Sequence, residues 1–557
     1  VTSLSPSLAP QFNVRAFPDR VLMPMLIAVC AFSALVGRFC FLLRPFDNDA
    51  AIFIYMGQMV STGGRLCHDL IDNKFPTVGL MTSIIYKAFG ICWPAYVTLE
   101  ALISLATALS LGRTAKRVVG RRAQLPTVLF SLVFLNLTTA VFGGFQLETL
   151  QIFFTALAAS AGVEMLLCGN LADGFTAGLC AGCGAMFKPT AVGVLLAMLA
   201  AMVTLRLIGE ARYLPEDKNR RNKPRRTEGT KGIFKHLSAL ARLAYQALAS
   251  SHSSFLAQLL AITAGLTIPL TFALIYLTQA DLLKDMPALY RQISTYAEAS
   301  VFDIVELIKP LTALALLGFP LLIRGYVFRR QTKLEMKWQP SAVTVFLISW
   351  LMIETIGVIL QRRMYAYHFL PMVPPAALLF GMLPRLNRPA VLAASLLPIA
   401  FLSILQAANF IATTKLGEDR LPLSDYLLAH AKPGDAVWMD AWPRVVLETG
   451  LRPGSRLPFT FLFTNYDTAG LDYSAGMIAD FERIKPTFII LPTPLNRRMQ
   501  YQIDFIPELN RLLIRRESYI TGWHRIEQYT RDHYEKEAMV GNDAVYRRRD
   551  IIYHSMP

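Results

Sequence analysis

"DNDAAIFIYMGQMVSTGGRLCHDLIDNKFP", residues 47–76, is the stretch on which the reading of this chain turns. It follows directly on the apolar run 21–43, yet it holds four Asp, one Arg, one Lys and one His. The chain as a whole is 54% hydrophobic and only 17% charged, against about 25% charged residues in a typical soluble domain. Polar groups gathered where a membrane-spanning segment ends need a reason, because charge at that depth is costly and usually lines a cavity.

Outward from this loop the apolar residues fall into blocks at 21–43, 77–92, 94–112, 124–142, 149–168, 172–187, 189–207, 253–277, 304–323, 341–361, 368–384 and 389–411. Most have the length that crosses a hydrocarbon core of about 30 Å. The expected fold class is therefore a polytopic α-helical membrane protein. The block 21–43 is read as a span rather than a cleaved signal peptide, because it is long enough to cross. The net charge of +16 does not indicate nucleic acid, since much of it sits in short loops between apolar blocks. The seven cysteines are scattered, and Cys180 and Cys183 lie in "TAGLCAGCGAMF", a run of small residues suited to close helix packing.

Loop charge sets the orientation. Five Lys/Arg occur in 113–122, eleven in 206–242 and five in 324–337, against none in 143–148. Placing the basic loops in the cytoplasm is consistent throughout if 77–92 does not span. That block is short and carries Lys87; a helix of its length rises only about 24 Å. About eleven spans then remain, with the N-terminus cytoplasmic, residues 44–93 forming a first external loop with juxtamembrane helices, and 412–557 outside. Within 47–76, "AAIFIYMGQMV" reads as an amphipathic helix lying flat in the interface, "GG" as a turn, and Pro76 as a helix stop.

Residues 412–557 change character. "GDAVWMD" (434–440) and "KPTFIILPTP" (485–494) read as buried strands, and "SDYLLAHA" (424–431) as a helix with a Ser cap. The expectation is a small extracytoplasmic α/β domain following a transmembrane domain of residues 1–411. The basic loop 216–232 reads as a cytoplasmic connector.

This topology brings several polar residues to the outer boundary: Asp47, Asp49, Glu148, Lys188, Arg362, Arg363, Tyr365, Tyr367 and His368. Carboxylates beside cations suit one reaction in particular. A carboxylate takes the proton of an incoming hydroxyl, while Arg and Lys stabilise the charge growing on a departing phosphate. The embedded Arg38, Glu100, Glu164 and Glu354 are expected to pair between helices or to snorkel.

The loop resembles the first external loop of the GT-C glycosyltransferases that use lipid-phosphate sugars, a group that includes protein O-mannosyltransferases and the aminoarabinose transferase of lipid A. Relatives carry Asp-Glu-Gly-x-Tyr-x-Tyr, then Gly-Gly-x-x-Tyr-x-Asp-x-x-Asp-x-Lys-x-Pro. This chain reads Asp49-Ala50-Ala51-Ile52-Phe53-Ile54-Tyr55, then Gly63-Gly64 through Asp69, Asp72, Lys74 and Pro76. A later motif is similar to "RRMYAYHFLPMVPP" (362–375), "KP" at 188–189 matches a frequent Lys at an outer helix end, and "KPTFIIL" is similar to a strand of the external domain.

The resemblance implies an inverting transferase that moves a monosaccharide from a polyprenyl-phosphate donor to a hydroxyl acceptor on a glycolipid, polysaccharide or protein. It implies a bacterial inner-membrane location and Asp49 as catalytic base. Asp47, two residues earlier, is a second catalytic candidate, and Ala50 departs from the family's Glu. The expected substrate-binding residues are Lys74, Asp72, Lys188, Arg362, Arg363, Tyr367, His368 and Glu148. No metal site or cofactor is expected; Asp47-Asn48-Asp49 has the Asp-x-Asp spacing of metal-using enzymes, but Arg and Lys suffice for a lipid monophosphate. Membrane lipids are expected partners and nucleic acid is not. A transporter or flippase of lipid-linked sugars would instead show paired half-repeats and broken helices, and a non-catalytic family member is the third alternative.

Overall fold

The computed structural model describes residues 19–43, 47–72, 74–138, 144–213, 252–287, 289–291, 304–331, 342–361, 365–383, 388–414, 420–460, 472–492 and 510–550. The basic connector 216–232, Arg362 and Arg363 lie outside the described residues.

The chain is mostly helical. Helices α1 (Asp19–Phe39), α2 (Asn48–Ser61), α3 (Pro76–Phe89), α4 (Trp93–Val119), α5 (Arg121–Leu135), α6 (Leu147–Cys168), α7 (Leu171–Phe187) and α8 (Gly193–Tyr213) are followed by α9 (His252–Gln279), α10 (Ile304–Gln331), α11 (Ala342–Gln361), α12 (Val373–Gly381) and α13 (Pro389–Thr413). Among the described residues, six segments are long and apolar enough to cross a membrane: Val21–Leu43, Trp93–Val119, Leu147–Cys168, Phe255–Gln279, Ala342–Gln361 and Pro389–Thr413. Shorter apolar helices occupy Leu171–Phe187, Pro189–Thr204 and Leu311–Val327. The protein is a multi-pass integral membrane protein.

Small residues set the closest helix contacts. A Cβ on Gly178 would lie 2.0 Å from the Ile262 carbonyl oxygen, and one on Gly265 would lie 2.0 Å from that of Phe175. The backbones of α7 and α9 therefore touch, which explains the glycines around Cys180 and Cys183, both free thiols. Two embedded pairs link helices as expected, Arg38 with Glu100 and Glu164 with Arg117 at 3.0 Å; Glu354 instead stays within its own helix, accepting the Trp350 indole N–H at 2.9 Å.

The external loop differs from its expected form in two places. Residues 50–57 of α2 are all buried, in contact with α3 and with the C-terminal sheet region, so α2 is enclosed by protein rather than amphipathic. The run from Ala50 to Met56 is apolar without a polar face, and a helix apolar all round is a buried one. Pro76, expected to stop a helix, starts α3 at its first position, where the missing N–H costs nothing. A Cβ on Gly57 would meet the Thr82 carbonyl oxygen at 2.6 Å, so glycine is what allows α2 and α3 to close on each other.

Beyond α13 come α14 (Pro422–His430), β1 (Ala436–Trp438), α15 (Pro443–Thr449), β2 (Arg452–Pro453), α16 (Tyr473–Ile484), β3 (Phe488–Pro492), α17 (Asn510–His533), β4 (Tyr534–Val540) and β5 (Asp543–Arg548). The strands form one sheet in the order β2-β1-β3-β5-β4; β1 is parallel to β2 and β3, and β5 is antiparallel to β3 and β4. Both expected strands are present. The expected Ser cap is not: Ser424 lies inside α14, and its hydroxyl donates to Glu448 at 2.6 Å. The same Glu448 oxygen accepts the Leu421 N–H at 3.1 Å, capping α14 from α15.

Two apolar cores result. One lies among the membrane helices and includes Phe130, Trp350 and Phe380. The other runs without a break from α2 through Trp93 and Tyr96 of α4 and Phe145 to Trp438, Trp442 and Phe488 of the sheet region.

Candidate active site

Asp47 and Asp49 stand at the start of α2 and do different things. Asp47 is the N-cap, its carboxylate accepting the Ala50 N–H at 2.9 Å, which satisfies one of the first-turn donors. Asp49 lies in the first turn, partly buried, and takes no part in the cap. Burial pushes its carboxyl up to about 6; Lys74 opposes the shift, and the neighbouring carboxylates of Asp47, Glu148 and Asp72 reinforce it. A carboxylate held there is ionised at neutral pH yet basic enough to accept a proton.

The far end of α2 and the turn after it carry the loop back. Thr62 closes the helix with its N–H and hydroxyl on the Met59 carbonyl, and Gly63 takes φ +92°. Asp69 accepts the Arg65 N–H at 2.8 Å, and the Ile71 N–H donates to the Arg456 carbonyl at 2.8 Å. Asp72, 2% exposed, follows at once, and the Lys74 ammonium lies 5.9 Å from the centre of the Phe53 ring. The fold thus returns Asp72 and Lys74 to the helix that carries Asp49 in its first turn.

A second side of the site comes from the membrane helices. Glu148, in the first turn of α6, forms a 2.9 Å ion pair with Lys188 at the end of α7. Both are largely withdrawn from solvent, with side-chain exposures of 7% and 20%. His368 lies close enough to Glu148 to act on its charge. It sits in the 3-10 turn Ala366–Met372 ahead of α12, with its ring 4.6 Å from that of Tyr367 and 5.5 Å from that of Tyr365.

Glu148 joins the two sides, since it acts on Asp49 as well as on Lys188 and His368. Of the residues singled out in the sequence, Asp47, Asp49, Asp72, Lys74, Glu148, Lys188 and His368 come together, with the Tyr367 ring edge to face on that of His368. Among the described residues no group of three or more His, Cys, Asp or Glu is arranged to hold a metal ion.

Residues 73–212 match the family model described as dolichyl-phosphate-mannose-protein mannosyltransferase. The chain is similar to the GT-C glycosyltransferases. The GT-C match starts inside the charged loop and includes Lys74, Glu148 and Lys188. Solved structures with some likeness include the oligosaccharyltransferase of Archaeoglobus fulgidus tethered to an acceptor peptide, at 12% identity and a TM-score of 0.49 over 92% of this chain and 72% of that one. The Archaeoglobus fulgidus oligosaccharyltransferase AglB with an inhibitory peptide and a dolichol-phosphate is 11% identical, with a TM-score of 0.47 over 96% and 75%. ArnT from Cupriavidus metallidurans in the apo state is 12% identical, with a TM-score of 0.37 over 94% and 97%. No curated protein sequence matches.

Three contacts of the loop and its neighbours were not foreseen. Trp442 packs on Tyr55, Arg456 holds Ile71, and His68 Nε2 lies 3.0 Å from Asp285 just beyond α9. No local pattern marks any of them; each is a meeting of segments far apart in sequence.

Proposed function

We propose that the protein is an inverting glycosyltransferase that moves a monosaccharide from a polyprenyl phosphate to a hydroxyl acceptor on the extracytoplasmic face of the membrane. The observation that carries this reading is a basic carboxylate, Asp49, in one neighbourhood with the cations Lys74 and Lys188 and with the His368 imidazole. The family-model match supports the donor class, a sugar on a lipid phosphate.

In this mechanism the acceptor hydroxyl attacks the anomeric carbon as its proton passes to the Asp49 carboxylate. The bond from that carbon to the phosphate oxygen breaks on the opposite face, so the configuration inverts, and polyprenyl phosphate leaves. Lys74, Lys188 and His368, with Arg362 and Arg363, take up the charge that develops on the phosphate. Asp47 sets the start of α2, Asp72 fixes Lys74, Tyr367 orients His368, and Glu148 holds Lys188. No metal is needed for a monophosphate leaving group held by several cations.

The reading carries a topology. About eleven helices span, α2 and α3 belong to an external loop, the N-terminus is cytoplasmic, and residues 412–557 form an extracytoplasmic α/β domain on a transmembrane domain of residues 1–411. A bacterial inner membrane fits this arrangement, with the polyprenyl tail remaining in lipid beside the site. The test is to incubate purified protein in liposomes with radiolabelled polyprenyl-phosphate sugars and a membrane extract as acceptor. Label in a glycoside of inverted configuration that survives the mild acid that hydrolyses the donor supports the proposal; passage of intact donor across the bilayer without transfer overturns it in favour of a flippase.

A further inference from the structure

We infer that Arg38 and Glu100 are positioning residues that hold the Glu148–Lys188 side of the site in place through the N-terminus of α6. The inference rests on the function proposed above. Both residues are 0% exposed within apolar helices. A pair of apolar side chains could fill the same space without the cost of desolvating two ions, so stability alone does not explain them.

Their hydrogen bonds do. The Arg38 guanidinium donates Nε to Asn136 Oδ1 at 3.1 Å, Nη2 to Ser104 Oγ at 3.2 Å and to the Leu135 carbonyl at 3.0 Å, and Nη1 to Glu100. One side chain on α1 thus ties α4 to the C-terminal end of α5. The other Glu100 oxygen, Oε1, accepts the backbone N–H of Gln146 at 2.5 Å. Gln146 is the N-cap of α6 and makes no cap of its own with its side chain, so a carboxylate from α4 grips that helix end.

Glu148 is two residues further along, and its carboxylate pairs with Lys188. The next turn of α6 is tied to the segment after Lys188 by the Gln151 side-chain N–H donating to Thr190 Oγ1 at 2.9 Å. The line from Arg38 through Glu100 and Gln146 to Glu148 is a short run of fixed geometry inside lipid, where alternative polar partners are scarce. A fraction of an ångström at Gln146 is passed to the carboxylate that aims the Lys188 ammonium.

The test compares Glu100→Gln, Lys188→Met and the double variant for turnover with a polyprenyl-phosphate sugar and for binding of polyprenyl monophosphate, each per mole of monodisperse protein. Glu100→Gln is expected to raise the donor KM and the polyprenyl-phosphate Kd about tenfold, with a smaller fall in kcat, and to add little once Lys188 is gone. Wild-type KM and Kd in Glu100→Gln, or effects that multiply with those of Lys188→Met, overturn the inference. Should Glu100→Gln not yield monodisperse protein, Ser104→Ala leaves the charges paired; a rise in donor KM of about threefold supports the inference and an unchanged KM overturns it. If the wild-type protein binds no polyprenyl phosphate, the proposed function falls and the inference with it, a result distinct from every variant outcome.

Discussion

The rings of Tyr55 and Trp442 meet edge to face, 4.8 Å between centres at 89°. Trp442 is fully buried and anchored by its indole N–H on the Leu457 carbonyl at 3.0 Å. Through this contact the C-terminal sheet region rests on α2, the helix that carries Asp49 in its first turn.

Trp442→Ala should therefore loosen α2 as well as the sheet region. Truncating a buried Trp costs about 3–5 kcal/mol, and the cavity opens against α2. Hydrogen exchange read by mass spectrometry should rise in 48–61, with transfer falling at least about tenfold. Unchanged exchange in α2 would show that the two regions are independent.

Lys188 and Glu148 form a buried pair, so removing one partner strands the other. Lys188→Met should destabilise the protein by about 3–5 kcal/mol, and the double variant with Glu148→Gln should regain most of that. Donor affinity should not return in the double variant, because the cation is still missing. Thermal unfolding and donor KM separate the two effects; recovery of both would mean that the pair is structural only.

Asp49 is harder to ionise folded than unfolded, with its carboxyl raised from 3.8 to about 6. The folded state thus binds the proton more tightly, and stability falls as pH rises from about 4 to about 6. Asp49→Asn removes that penalty, on the order of 2 kcal/mol once partial exposure is allowed for, and should raise Tm at pH 7.5 but not at pH 4. Transfer runs the other way: kcat should climb through a limb near pH 6 and level off above it, as expected for a base that must be ionised. A flat profile between pH 5 and 8, or a lower Tm in Asp49→Asn at pH 7.5, would contradict this placement of Asp49.

Much of this was legible in the sequence. Block lengths and the charge of residues 47–76 gave the membrane class and the loop. Asp49, Glu148, Lys188 and His368 were gathered by putting boundary residues on one face, a matter of chain parity rather than of contacts, and Lys74 was added by the family motif. The failures have physical causes. The flat amphipathic reading of α2 overlooked that Ala50 to Met56 is apolar all round, and its contact with Trp442, nearly four hundred residues away, leaves no local pattern. Glu448 took the capping role assigned to Ser424, since a carboxylate delivered by packing outcompetes a hydroxyl in the helix interior.

The most direct measurement is the transfer rate of Asp49→Asn beside that of Asp47→Asn, with a polyprenyl-phosphate sugar as donor at pH 7.5. With the base removed, Asp49→Asn should lose about a hundredfold or more in kcat while still binding polyprenyl phosphate. Asp47→Asn keeps a competent cap and should retain transfer within about tenfold. Full-rate transfer by Asp49→Asn would contradict the mechanism.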